Sequence, residues 1–221
     1  MNTAILHDAA EELAAYLSEV TVAELRHPVQ PSGRTLGALT LDLMHRHLRT
    51  ASAVQGAGAQ AGELPDPPTG EVQVPTTLAE LETRLHPDGT GVETTYRRVA
   101  HTLLNAFDTA DVPLRDGAGS AAGRLTRHHE LPRLHDREVA GIVLHTWDVA
   151  SALDLPYRPT TPVAWRVLRA LTAPADPNIA TDRATDRATA TDSGSSALEQ
   201  VPSVREGEAF HSVLVLTGRA A

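Results

Sequence analysis

Arg137-Glu-Val-Ala-Gly-Ile-Val-Leu-His-Thr-Trp-Asp-Val-Ala-Ser-Ala-Leu153 repeats its apolar residues with the period of an α-helix. Val139, Ile142, Val143, Ala150 and Leu153 fall on one side at 3.6 residues per turn. Beside them runs a second row of Glu138, Gly141, His145 and Asp148, spaced by three and four and therefore stacked on one face. A helix that buries the apolar stripe thus carries a carboxylate, a gap, an imidazole and a second carboxylate to the edge of the core. Ionisable groups are costly there unless paired or liganded. Two readings follow: a structural network in which His145 and Asp148 hydrogen-bond each other, or a functional site.

Composition narrows the choice of fold. The chain has 221 residues, 41% of them apolar but only 3% aromatic, so its core is built from Ala, Leu and Val and favours close-packed helices over a β-sandwich. The net charge of -9, with no basic stripe, argues against a nucleic-acid partner. There is no cysteine, which suits a cytoplasmic setting and means that any thiol chemistry must use the thiol of a small molecule. No apolar run approaches the roughly 20 residues of a membrane span, and Asp8, Glu11 and Glu12 do not fit a secretory signal.

Further helices are expected along the chain. Residues 3–20 carry the stripe Ile5, Ala9, Leu13 and Leu17. Residues 35–55 carry Leu36, Leu39, Leu43, His47, Ala51 and Val54, which turns His47 inward and leaves Asp42, Arg46 and Arg49 outside. A histidine in such a row is either a satisfied core residue or a ligand. A short helix is expected at 78–85, a long one at 92–108 with Val99, Leu103, Ala106 and Phe107 inward, and another at 163–172 with Trp165, Leu168 and Leu171 available for packing. Residues 56–75, rich in Gly, Ala and Pro, read as a surface connector. Residues 109–136 read as a long loop because they contain Pro113, Gly117, Gly119, Gly123 and Pro132. Their cationic cluster, which includes Arg124 and Arg127, is either a solvated loop with incidental charge or a receptor for an anionic group of a cofactor or substrate. The tandem Thr-Asp-Arg-Ala repeat from Thr181 to Ala188 has almost no large apolar residue. The expected organisation is a helical bundle over 1–173, a flexible linker over 174–202, and a C-terminal segment over 203–221 that packs back on the bundle.

The helix that opens this section also carries a resemblance. His145-Thr-Trp-Asp-Val-Ala-Ser-Ala-Leu-Asp-Leu-Pro156 resembles the signature of the mycothiol-dependent maleylpyruvate isomerase-like family, a group of DinB-like helical bundles. Thr40-Leu-Asp-Leu-Met-His-Arg-His-Leu48 is similar to the family's first ligand motif, with His47 at the ligand position; a register anchored on Thr35 would place Asp42 there instead. The end, Val213-Leu-Val-Leu-Thr-Gly-Arg219, is similar to the family's terminal motif and implies a short helix, although its residues alone also allow a strand.

The resemblance implies an all-α fold: an antiparallel four-helix bundle of DinB-like type with additional short helices and a C-terminal helix. It implies a divalent metal, zinc by preference, held by His47 and His145 near an open position, with mycothiol as possible cosubstrate in an isomerase or thiol S-transferase reaction on a small molecule. The family's remaining ligand, one turn before the histidine, falls on Gly141, which cannot ligate. Glu138 is the candidate replacement, though it lies about 10.5 Å along the axis from His145. Any metal is therefore expected to bind more weakly than at a site with three protein ligands. Asp148 is expected to orient an imidazole, and His47, His145 and Asp148 form the candidate catalytic set. Two alternatives stand beside this reading: a metal-free bundle in which histidines and carboxylates do acid–base chemistry on a small molecule, and a non-catalytic small-molecule-binding member of the fold. A monomer or homodimer is expected, with no membrane partner.

Overall fold

A computed structural model of the chain describes residues 3–56, 73–85, 91–111, 121–173 and 208–219; the side chains of residues 56, 111 and 121–129 are not among those described. The molecule is mostly helical. Its elements are α1 (Ala4–Leu17), α2 (Val22–Leu25), β1 (Pro28–Val29), β2 (Arg34–Thr35), α3 (Leu36–Gly56), α4 (Leu78–Arg84), α5 (Val92–Asp111), α6 (Ala121–Ala152), α7 (Thr161–Thr172) and α8 (Ala209–Leu216). The two short strands pair antiparallel, Pro28 with Thr35 and Val29 with Arg34, and lead directly into α3.

Four long helices pack in a closed ring: α1 against α5 and α6, and α3 against α5 and α6. The residues turned into this ring follow the helical periods. From α1 come Leu6, Ala9, Leu13 and Leu17, and from α3 Leu36, Leu43, Met44, His47, Ala51 and Val54. α5 supplies Tyr96, Val99, Leu103 and Phe107, and α6 supplies Val139, Ile142, Val143 and Ala150. Burying a side chain of this size is worth roughly 1.5–3 kcal/mol, so each stripe fixes the rotation of its helix. α7 packs on α6, and α8 packs on α7.

Two expectations need correction. The loop expected over 109–136 is largely helix: α5 runs on to Asp111, and α6 starts at Ala121 and passes through Pro132 to reach 32 residues. Pro132 is exposed, while Leu131 and Leu134 pack against the core and His135 is buried. The stripe thus continues on the inner side and outweighs the hydrogen bond that proline cannot make. Leu171, expected to pack, is exposed. The C-terminal stretch is the short helix expected there, α8, with Val213 and Leu214 buried. Residues 57–72 of the connector expected over 56–75, and the whole of the linker expected over 174–202, lie outside the described residues.

Candidate functional site in the seam between α3 and α6

The polar residues of the second row on α6 meet α3 at fixed intervals. On α3, Thr40 and His47 are seven residues apart, two turns of helix; on α6, Glu138 and His145 have the same spacing. His47 Nδ1 lies 2.7 Å from Glu138 Oε2, and Thr40 Oγ1 lies 3.0 Å from His145 Nε2. The lower partner on one helix meets the upper partner on the other, so the two helices run antiparallel. The seam holds two layers, His47 with Glu138 and His145 with Thr40, separated by about 10.5 Å of helix rise.

Each layer fixes its imidazole. The Thr40 hydroxyl donates to the Leu36 carbonyl at 2.9 Å, so its oxygen accepts from His145, which must carry its proton on Nε2. Glu138 accepts from the Thr50 hydroxyl at 2.8 Å on Oε1 and from His47 Nδ1–H on Oε2. His47 Nε2 then presents a lone pair; it is buried and has no hydrogen-bond partner. His47 and Glu138 are 0% and 1% exposed, and His145 is 5% exposed.

Burial sets the charge states. Desolvation lowers the His47 pKa against the pull of Glu138, so the ring is neutral at neutral pH. Desolvation, reinforced by the charges of Arg46, His47 and Arg219, pushes His145 down to about 3. Burial alone would raise the Glu138 carboxyl; the hydrogen bond and charge of His47, with Arg46 and Thr50, overcome it and hold the group at about 2. Tyr96, fully buried with its ring centroid 6.1 Å from that of His47, is pushed well above the usual phenol range by desolvation and keeps its proton.

Between the two layers lies a residue that the helical period placed outside. The Arg46 guanidinium reaches into the seam, with Nε 3.4 Å from Glu138 Oε2. Its planar head occupies the space left open by Gly141: a Cβ on Gly141 would overlap Nη2 and lie 2.7 Å from Cζ. Nε and Nη2 are buried without hydrogen-bond partners, while the side chain as a whole is 38% exposed. Arg46 thus spans from the surface to the buried imidazoles. The signal that could have found it is the glycine itself, a gap one turn before His145 on an otherwise filled face.

The remaining candidates sit apart from this pair of layers. Asp148, expected to orient an imidazole, instead accepts two hydrogen bonds from Arg219, from Nε at 2.7 Å and Nη2 at 2.9 Å. Burial raises its pKa against the pull of that guanidinium. Asp42, the alternative at the first ligand position, is exposed and pairs with Arg34. Arg124 and Arg127 lie on α6, and their side chains are outside those described.

No family model, no curated protein and no solved structure matches the chain.

The metal that the resemblance implies does not fit this donor set. Both Glu138 oxygens are engaged by His47 and Thr50, His145 Nε2 is turned to Thr40, and the place of the missing ligand holds a cation. Among the described residues, no group of three or more His, Asp or Glu side chains is disposed to hold a metal ion. What the seam offers is a neutral imidazole with an open lone pair, a carboxylate that fixes its tautomer, and a guanidinium beside them.

Proposed function

We propose that the chain is a small-molecule enzyme, related to the mycothiol-dependent maleylpyruvate isomerase-like bundles, that works as a metal-free acid–base catalyst. The observation that carries this reading is His47: Nδ1–H is held by Glu138, and Nε2 is buried, unprotonated and without a partner. A carboxylate that holds one ring nitrogen fixes the tautomer and stabilises the imidazolium formed when the other nitrogen takes a proton. The ring of four packed helices is read as the antiparallel four-helix bundle of DinB-like type, with α8 as its C-terminal helix.

In this reading His47 Nε2 accepts a proton from a bound small molecule. The electron pair stays on the substrate as an enolate-type anion beside the Arg46 cation, and the proton returns to a different atom. The net reaction is an isomerisation that needs no oxidant and no thiol. Positioned acid–base groups contribute typically about 10²–10⁴-fold to a rate.

The test is a screen of small enolisable acids for isomerisation by chelator-treated protein. Activity that survives chelation and falls at least about 10²-fold in His47→Gln agrees with the reading. Activity that appears only when zinc and a low-molecular-weight thiol are added returns the chain to the family's chemistry. Ligand binding with no turnover by any compound leaves a binding protein.

A further inference from the structure

We propose that the molecule taken by this site bears a single carboxylate, and that the Nε–Nη2 edge of Arg46 is where that carboxylate binds. The inference rests on the reading of His47 as the base and adds the chemical class of its substrate.

The chain itself shows what this edge of an arginine does. Arg219 holds Asp148 through Nε and Nη2 at 2.7 and 2.9 Å. Arg26 holds Glu82 through the same two atoms at 2.6 and 2.8 Å. The parallel donors of a guanidinium match the two oxygens of a carboxylate. In Arg46 the same two atoms are buried and make no hydrogen bond, Nε having only the longer ion-pair contact with Glu138. Glu138 does not satisfy them: its nearer oxygen stands 3.4 Å from Nε, and its acceptor capacity is directed to His47 and Thr50. Buried donors left unpaired cost roughly 1–3 kcal/mol, more when charged, so the fork is poised for an acceptor that enters from outside.

Position and charge fix the class further. The Arg46 side chain is 38% exposed while Nε and Nη2 are buried, so an anion gains this edge when the side chain swings outward from Gly141, on the same seam as the fully buried His47. A carboxylate on Arg46 therefore brings the adjoining carbons of the same molecule toward Nε2. One guanidinium balances one negative charge, whereas a phosphate dianion asks for more. The other ionisable groups at the seam are the Glu138 anion, which repels a second negative charge, and two imidazoles that are neutral. Gly141 makes the arrangement possible, because any side chain there would displace the guanidinium.

The experiment is calorimetric titration of the full chain with acetate and, separately, with inorganic phosphate, on the wild type, Arg46→Gln and Gly141→Ala. Acetate is expected to bind the wild type in the millimolar range and at least about tenfold more weakly to Arg46→Gln, the loss expected for a charge-assisted pair. Gly141→Ala keeps the charge but pushes the fork out of the seam, so it should lose the same binding and serves if Arg46→Gln does not fold. No heat with acetate, equal affinity in both variants, or tighter binding of phosphate than of acetate overturns the proposal. The ¹⁵N spectrum of His47 in the unliganded wild type separates the two readings. A ring protonated on Nε2 sinks the base assignment even if acetate binds at Arg46. A ring protonated on Nδ1 with no acetate binding sinks the carboxylate assignment alone.

Discussion

Arg46 and Gly141 fit each other across the α3–α6 seam: the guanidinium fills the volume that any Cβ at position 141 would claim. A cation thus stands one turn before His145, at the gap on the polar face of α6. Burial first, and this cation to a smaller extent, keep His47 neutral beside the Glu138 carboxylate.

Gly141→Ala should therefore separate stability from function. Alanine gains about 1 kcal/mol of helix propensity over glycine. The displaced group is the far end of a flexible side chain whose contact with Glu138 is partly solvent-screened. The melting temperature should stay level or rise while catalysis falls. Thermal denaturation alongside an activity assay checks this, and a large drop in melting temperature would show that the guanidinium is a structural strut.

Glu138→Gln keeps the shape but removes the charge that His47 and Arg46 face. Loss of a charge-assisted hydrogen bond in a buried setting costs roughly 1.5–3 kcal/mol. Urea unfolding should show a loss of that order, with a rate defect close to that of His47→Gln. A Glu138→Gln protein of unchanged stability would mean that the pair is not formed in solution.

Acid should weaken the fold from an unusually high pH. His145 falls from 6.5 in the unfolded chain to about 3 when folded, so below pH 6.5 the unfolded state binds a proton that the native state refuses. Stability from this group is complete above pH 6.5 and is lost as the pH drops toward 3; His47, lowered in the same direction, adds to it. Glu138, lowered from 4.5 to about 2, adds a second loss below pH 4.5. Denaturation midpoints should be level from pH 7.5 to about 6.5 and fall from there to pH 3.5. In His145→Gln the decline above pH 4.5 should be shallower; an identical curve would show that His145 titrates normally.

The Arg219–Asp148 pair ties the end of the chain to α6. Asp148 is 3% exposed, so Arg219→Ala strands a buried carboxylate, which costs about 3–5 kcal/mol in comparable pairs. Equilibrium unfolding of Arg219→Ala should show a loss of that order, and Asp148→Asn in the same background should recover part of it. A loss below about 0.5 kcal/mol would fit an exposed pair and contradict the buried geometry.

The helical class and the inward turn of His47, Glu138 and His145 were legible because period alone decides them: each lies three, four or seven residues from a neighbour on a buried face. Arg46 was not. It sits beside His47 on the outer flank of α3, and only a gap on a helix about ninety residues away draws it inward. The partner of Asp148 was hidden for the same reason, because Arg219 reaches it across most of the chain's length after α6. The start of α6 was misread because Gly123 and Pro132 are local breakers, whereas the buried contacts that outweigh them are tertiary. Thr40 stood in the sequence only as the start of the motif that ends at His47, and Thr50 carried no distinguishing signal; their roles in the two imidazole layers appear only in the structure.

The central claim is that the buried cation of this site is Arg46, which leaves His47 free as a base. The most direct measurement is the ¹⁵N–¹H spectrum of the histidine rings at neutral pH, before and after one equivalent of zinc. The account predicts a neutral His47 protonated on Nδ1, a neutral His145 protonated on Nε2, and no change in either ring on adding zinc. Stoichiometric zinc that shifts both rings together, with His145 losing its Nε2 proton, would contradict it.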